Sequence, residues 1–252
     1  MHRLQCGQVF GGIQDEDTDL LSNAVEASLY SASCQGGKGG DIYFLSVCRQ
    51  DAITRIALAD VMGHGDQVSD VSQLVYEALR DHMNDFDGQQ VLEQVNRVAA
   101  DMGIKAMTTA ALLGVYTGDD TLRFSYAGHH PALLRRAGDS TWQSVEPDHD
   151  SDADNLPLAV SAEASYDQHD HDLGPGDQLL LYTDGVLEAR SPQGDEFGLR
   201  RLTSILATLP HDSSLPDAKT IVIDAVRHHV DGPLDHDDIT VIAIQPRPKV
   251  AQ

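Results

Sequence analysis

The strongest constraint on the fold is a repeated change of period along the chain. From Val25 the apolar residues fall in short blocks, Val25 to Ser31, Ile42 to Arg49 and Ile53 to Val61, separated by the glycine-rich Gln35 to Gly40 and by Gln50-Asp51. Blocks of this length between turn residues predict strands, here a small antiparallel meander. From Asp66 the repeat lengthens. Val68, Val71, Val75, Leu79 and Met83, then Val91, Leu92, Val95, Val98, Ala99 and Met102, recur at three- and four-residue steps, which predicts two amphipathic helices. Strand-like stretches return at Ala110 to Tyr116, Thr121 to Ala127 and Ala132 to Arg136, with Gly118-Asp119-Asp120 as a hairpin turn. Asp177 to Thr183 and Ile239 to Gln245 add two more, and Phe197 to Leu209 and Pro216 to Val230 read as helices, the second with a favourable proline near its start. Helix pairs set between antiparallel strands predict an α+β fold of two stacked sheets with helices over the outer faces.

No repeat or long linker divides the chain, so one domain is expected over 25–246, with an unassigned segment 1–24 before it and a short tail 247–252. A hydrophobic fraction of 41% supplies a core. A formal net charge of −23 disfavours nucleic acid and anionic membrane surfaces as partners, because either would need a concentrated basic face. Cys6, Cys34 and Cys48 are odd in number and show no CxxC spacing, which fits a reducing cytoplasm. No signal peptide opens the chain and no apolar run has the length of a bilayer span.

Four segments place an aspartate beside glycine or a turn at the end of an apolar strand. Asp41 follows Gly39-Gly40, Asp60 precedes Val61-Met62-Gly63-His64-Gly65, Asp184 stands between Thr183 and Gly185, and Asp237 opens Asp237-Asp238-Ile239-Thr240. Each alone reads as a cap or turn residue. Four together point to a hard cation, since carboxylates drawn from distant parts of a fold repel one another unless something positive lies between them.

In order and spacing, Gly39-Gly40-Asp41-Ile42-Tyr43, Ala59-Asp60-Val61-Met62-Gly63-His64-Gly65, Tyr126-Ala127-Gly128-His129-His130-Pro131, Leu156-Pro157-Leu158, Gly176 to Ala189 and Asp237-Asp238-Ile239-Thr240 resemble the bacterial SpoIIE-type branch of the PPM family, the metal-dependent Ser/Thr protein phosphatases. The resemblance covers roughly Val25 to Gln245. It implies an α-β-β-α sandwich of two antiparallel sheets flanked by helix pairs, with metals at one edge. It also implies that Asp41, Asp60, Asp184, Asp237 and the backbone carbonyl of Val61 hold two Mg²⁺ or Mn²⁺ ions, with Asp41 and Asp60 on the bridging side. The implied reaction is direct hydrolysis of a phosphoserine or phosphothreonine by a metal-activated hydroxide, with no protein nucleophile. His64 matches the Gly-His-Gly histidine and would either protonate the leaving alkoxide or hold the loop at a helix entry. Lys38 would reach a substrate phosphate or stay solvated. His129 and His130 take a structural place in a turn between strands.

The resemblance implies a phosphorylated regulatory protein of the anti-anti-sigma kind as substrate. The little room for a sensory domain suggests control by a separate regulatory protein or by abundance. Gly36-Gly37-Lys38-Gly39-Gly40 is not a P-loop, because Ala32 and Gly39 stand where glycine and serine or threonine are needed. Asp148, Asp150, Asp152 and Asp154 alternate in the acidic loop 147–155 but lack the glycine and glutamate of a calcium loop. Two rival functions stand beside the phosphatase. One is a helical histidine-aspartate phosphohydrolase built on His211-Asp212 and His236-Asp237; the other is a catalytically silent interaction module on the same fold.

Overall fold

The computed structural model describes residues 1–48, 50–65, 68–83, 87–147 and 153–248. One sheet has the strand order β11 (His169–Asp172), β8 (Thr121–Ala127), β7 (Thr108–Tyr116), β6 (Ile53–Val61), β5 (Lys38–Cys48), β2 (Val9–Gln14). The other runs β1 (His2–Arg3), β3 (Glu16–Leu21), β4 (Val25–Ala32), β13 (Ile239–Pro246), β12 (Gln178–Tyr182), β9 (Leu133–Arg135), β10 (Trp142–Ser144). Neighbouring strands are antiparallel except for the two-residue pairing of β1 with β3. The helices are α1 (Ser69–His82), α2 (Gly88–Asp101), the single turn α3 (Asp184–Leu187), α4 (Gly198–Leu206) and α5 (Leu215–Val230).

The period-2 geometry of a strand sends successive side chains to opposite faces, and here both faces of the central strands are covered. Tyr43, Leu45, Ile56, Leu58 and Leu113 of one sheet meet Leu29, Leu179, Leu181, Ile242 and Ile244 of the other between the layers. The alternate residues Ile42, Phe44, Ala57, Ala59 and Val61 pack outward against Val75, Leu79, Leu92 and Val95 of α1 and α2. On the far side Leu180, Tyr182, Val241 and Ala243 pack against Leu202, Leu206, Val222 and Val226 of α4 and α5. At about 1.5–3 kcal/mol for each such side chain removed from water, these three layers supply the main drive to fold. The result is the expected α-β-β-α sandwich.

Three features differ from the sequence reading. The stretch from Val25 and the strands after it do not form one meander: β4 lies in the seven-stranded sheet between β3 and β13, whereas β5 and β6 pair in the other. The glycine-rich loop after Ala32 therefore carries the chain from one sheet to the other instead of closing a hairpin. The first 24 residues, for which the sequence pattern offers no element, supply β1, β2 and β3, so both sheets begin ahead of Val25. The strand-rich sandwich also excludes the helical histidine-aspartate architecture. His211 and His236 instead contact the backbone carbonyls of Asp139 and Gly185.

The helix expected from Asp66 begins at Ser69, and Asp66 itself lies outside the described residues, as do Asp148, Asp150 and Asp152 of the acidic loop. Asp154 accepts from the backbone N–H and hydroxyl of Ser165. Among the described residues no helix is long and apolar enough to cross a membrane.

Candidate metal centre

The antiparallel register of β5 and β6 sets Asp41 directly opposite Asp60. Like charges in such a pair destabilise a ladder. Asp41 is not at a strand end open to solvent, as the sequence suggested. Lys38, Gly39 and Gly40 already belong to β5, and the Asp41 side chain is 3% exposed. Glycine is required at 40 because a Cβ there would lie 2.9 Å from the carbonyl oxygens of both Val61 and Gly63. That crowding brings the carbonyl of Val61 to the edge of the sheet beside Asp41.

The other sheet delivers the remaining two aspartates. β12 ends at Tyr182, Thr183 adopts an extended N-cap conformation, and Asp184 is the first residue of α3 rather than the last of a strand. Asp237 stands two residues ahead of β13. Asp60, Asp184 and Asp237 line one cleft together with Met62, Gly63, Met107 and Thr109. All four aspartates are thus brought to the same edge of the sandwich, two from each sheet.

The Asp41 carboxylate is held on one side only. Its Oδ2 accepts from the Thr183 hydroxyl at 2.8 Å, and that hydroxyl in turn accepts from the backbone N–H of Thr240 at 2.9 Å. Its Oδ1 is buried and has no hydrogen-bond partner among the described residues. A carboxylate oxygen out of water without a partner is costly. Burial, reinforced by Asp238 and Asp184, holds Asp41 well above the usual carboxylate range. Burial followed by the charges of Asp41 and Asp184 does the same for Asp60, and burial with Asp184 and Asp238 pushes Asp237 up to about 6.

Among the described residues no three His, Cys, Asp or Glu side chains are drawn in to the spacing of one coordination shell. The donor set nevertheless suits a hard divalent cation: carboxylates and a backbone carbonyl, all oxygen, with one buried oxygen that has no hydrogen-bond partner among the described residues.

His64 and Lys38 are both exposed, and neither lines the cleft. His64 Nδ1 is 3.4 Å from Cys34 Sγ, and its charge acts on Asp237. It stands five residues ahead of α1, so it does not enter the helix itself. Lys38 begins β5 opposite Gln14, and its backbone carbonyl accepts from the Ser33 hydroxyl. His129 is buried in the turn after β8, with its imidazole pushed down to about 4 by burial, and His130 stacks on Tyr182.

Two participants escaped the sequence reading. Thr183 grips Asp41 from the other sheet. Asp238, the second aspartate of its pair, is 3% exposed and accepts from three backbone N–H groups. The available signal was the concentration of N–H donors in glycine-rich loops, which need an acceptor when buried.

Comparison with known proteins agrees with this architecture. The family model for Stage II sporulation protein E (SpoIIE) matches residues 50–247, and the chain belongs to that family. The phosphoserine phosphatase RsbU of Bacillus subtilis is 29% identical over 185 residues, covering 72% of this chain and 50% of RsbU. The chain spans half or less of the length of the curated relatives it matches. Among solved structures, the SiaA-PP2C domain of Pseudomonas aeruginosa superposes with a TM-score of 0.73 at 20% identity, covering 87% of this chain and 85% of that one. The catalytic domain of the serine threonine protein phosphatase PstP in complex with two manganese ions gives a TM-score of 0.57 at 18% identity, covering 89% and 99%.

Proposed function

We propose that this chain is a metal-dependent protein serine/threonine phosphatase that acts on a phosphorylated regulatory protein. One observation carries the reading: Asp41, Asp60, Asp184 and Asp237 meet at one edge of the sandwich, with a buried oxygen of Asp41 that has no hydrogen-bond partner among the described residues. RsbU, a phosphoserine phosphatase by name, and PstP, solved with two manganese ions, support the class. Two Mg²⁺ or Mn²⁺ ions, held by these aspartates and the Val61 carbonyl, would activate a water molecule and neutralise phosphoryl oxygens.

The chain's own groups have separate tasks. Thr183 fixes the rotamer of Asp41 by donating to Oδ2, which leaves Oδ1 free to act as a ligand. Asp60, opposite Asp41, would hold the ions together with it, and Asp184 and Asp237 would do so from the other sheet. His64 protonates the departing serine or threonine oxygen, a task suited to an imidazole. Lys38, three residues before Asp41, attracts the substrate phosphate. The substrate is a phosphoprotein of the anti-anti-sigma kind, activity is governed by a separate regulatory protein, and the setting is the cytoplasm, in keeping with Cys6, Cys34 and Cys48 as free thiols.

Phosphate release from a phosphoserine peptide, measured with Mn²⁺ and with EDTA, tests the reading. Release should depend on Mn²⁺ and vanish in a folded Asp41→Ala variant. Turnover by that variant, or equal turnover in EDTA, would rule it out.

A further inference from the structure

Asp238 occupies the point where all four aspartate-bearing segments cross. Its Oδ1 accepts from the N–H of Cys34 at 2.8 Å, in the loop that changes sheets. Its Oδ2 accepts from the N–H of Gly40 at 2.5 Å, next to Asp41, and from the N–H of Gly65 at 3.1 Å, in the loop after Asp60. Its main chain reaches the last segment, because a Cβ on Gly185 would lie 2.1 Å from the Asp238 carbonyl oxygen. Asp238 also follows Asp237 directly, and its own N–H donates to the Asp237 carboxylate at 2.8 Å.

We propose that Asp238 is the positioning residue of the centre: it binds no ion and holds the four segments in register. The proposal rests on the metal reading above. Both carboxylate oxygens face N–H groups rather than the cleft, and Asp238 is not among the residues that line that cleft. A fifth carboxylate in this cluster adds to the repulsion on Asp41 and Asp237. The three donors around it explain why an acid is nonetheless present. A carboxylate offers only acceptors, whereas an asparagine would turn its NH₂ toward at least one of those N–H groups. Charge-assisted bonds to backbone N–H are also among the stronger hydrogen bonds in a protein. Through Cys34 the same carboxylate steadies the thiol against which His64 rests.

The experiment compares wild type, Asp238→Asn, Asp238→Ala and Val226→Ala, the last a cavity variant in the layer between the seven-stranded sheet and α5. Calorimetric titration gives Mn²⁺ affinity and stoichiometry, hydrogen exchange reports the amides of Cys34, Gly40 and Gly65, and thermal melts report folding. Groups behind the ligands typically control metal affinity by roughly 10- to 100-fold. Asp238→Asn should therefore bind the same number of ions at least about 10-fold more weakly and lose amide protection at Cys34 or at the Gly40 and Gly65 pair. Val226→Ala should melt lower with Mn²⁺ affinity unchanged. Asp238→Asn keeps the proposal testable if Asp238→Ala does not fold. Wild-type affinity in Asp238→Asn would overturn the proposal, as would an equal loss in Val226→Ala. So would loss of one ion from the stoichiometry with protection intact, which would make Asp238 a ligand. Failure of wild type to bind Mn²⁺ would instead refute the metal reading itself.

Discussion

Replacing Asp41 by asparagine should make the metal-free protein more stable, and the same variant should be inactive when Mn²⁺ is supplied. Asp41 and Asp60 face each other across the β5–β6 ladder, where directly opposite residues are about 4.5–5.5 Å apart. At an effective dielectric of about 20, two unit charges at 5.5 Å repel by about 3 kcal/mol. Asparagine removes that repulsion, keeps an oxygen for the Thr183 hydroxyl and presents N–H to the surrounding carboxylates. Proton uptake by the wild-type pair and partial solvent access reduce the benefit to roughly 1–3 kcal/mol. At about 2–4 °C per kcal/mol for a chain of this size, that is a rise of roughly 2–12 °C in melting temperature.

The benefit has a definite pH dependence. Burial raises Asp41 above its unfolded value of about 3.9, so its contribution to stability is fully present below that pH and is lost as pH rises through the folded value. The Asp41→Asn advantage in EDTA should therefore be smallest near pH 4–5 and grow toward pH 8. Addition of Mn²⁺ should raise the melting temperature of wild type and leave the variant unmoved. An Asp41→Asn protein that melts at or below wild type in EDTA at pH 8 would show that the two carboxylates do not strain the fold, and the reasoning would fail.

Two further substitutions separate the site from the scaffold. Gly185→Ala drives a methyl group against the Asp238 carbonyl oxygen; overpacking of this kind costs about 1–3 kcal/mol. Mn²⁺-dependent phosphate release should fall sharply while circular dichroism stays native-like, and unaltered turnover would contradict the close approach. Ser214→Ala breaks the capping box with Asp217 at the start of α5, at a cost of about 1 kcal/mol. The melting temperature should drop by about 2–4 °C with kcat and KM unchanged, and a change in kcat would tie α5 to catalysis.

The central strands were legible because burial on both faces leaves near-continuous apolar runs, as in Ile53–Val61 and Ile239–Pro246. The helices were legible because each buries one stripe, such as Val75, Leu79 and Met83. The outlying strands were not. Glu16–Leu21, second from one edge of its sheet, and the edge strand His169–Asp172 carry polar residues that form strands poorly in isolation, and each becomes one only by pairing with a buried neighbour. The expected meander failed because consecutive strands usually pair, whereas the glycine-rich loop after Ala32 crosses between layers.

At the centre the four aspartates stood out as residue types beside glycines. Their depth did not. Gly39-Gly40 reads as a loop, whereas Lys38 pairs with Gln14 and the two glycines continue β5 into Asp41. Asp238 has no role in the sequence analysis, because nothing in a sequence reveals which of two adjacent carboxylates turns inward to meet backbone N–H groups.

The division of the four carboxylates, two per sheet, gives the sandwich a seam that is chemical as well as hydrophobic. Divalent ions seated there would act as rivets between the layers, so a sub-ångström shear of one sheet over the other would misalign the ligands before it disturbed the oily interior. Chelators should then loosen the whole body of the protein. Conversely, anything that presses on an outer helix layer can dim or brighten the chemistry without coming near it.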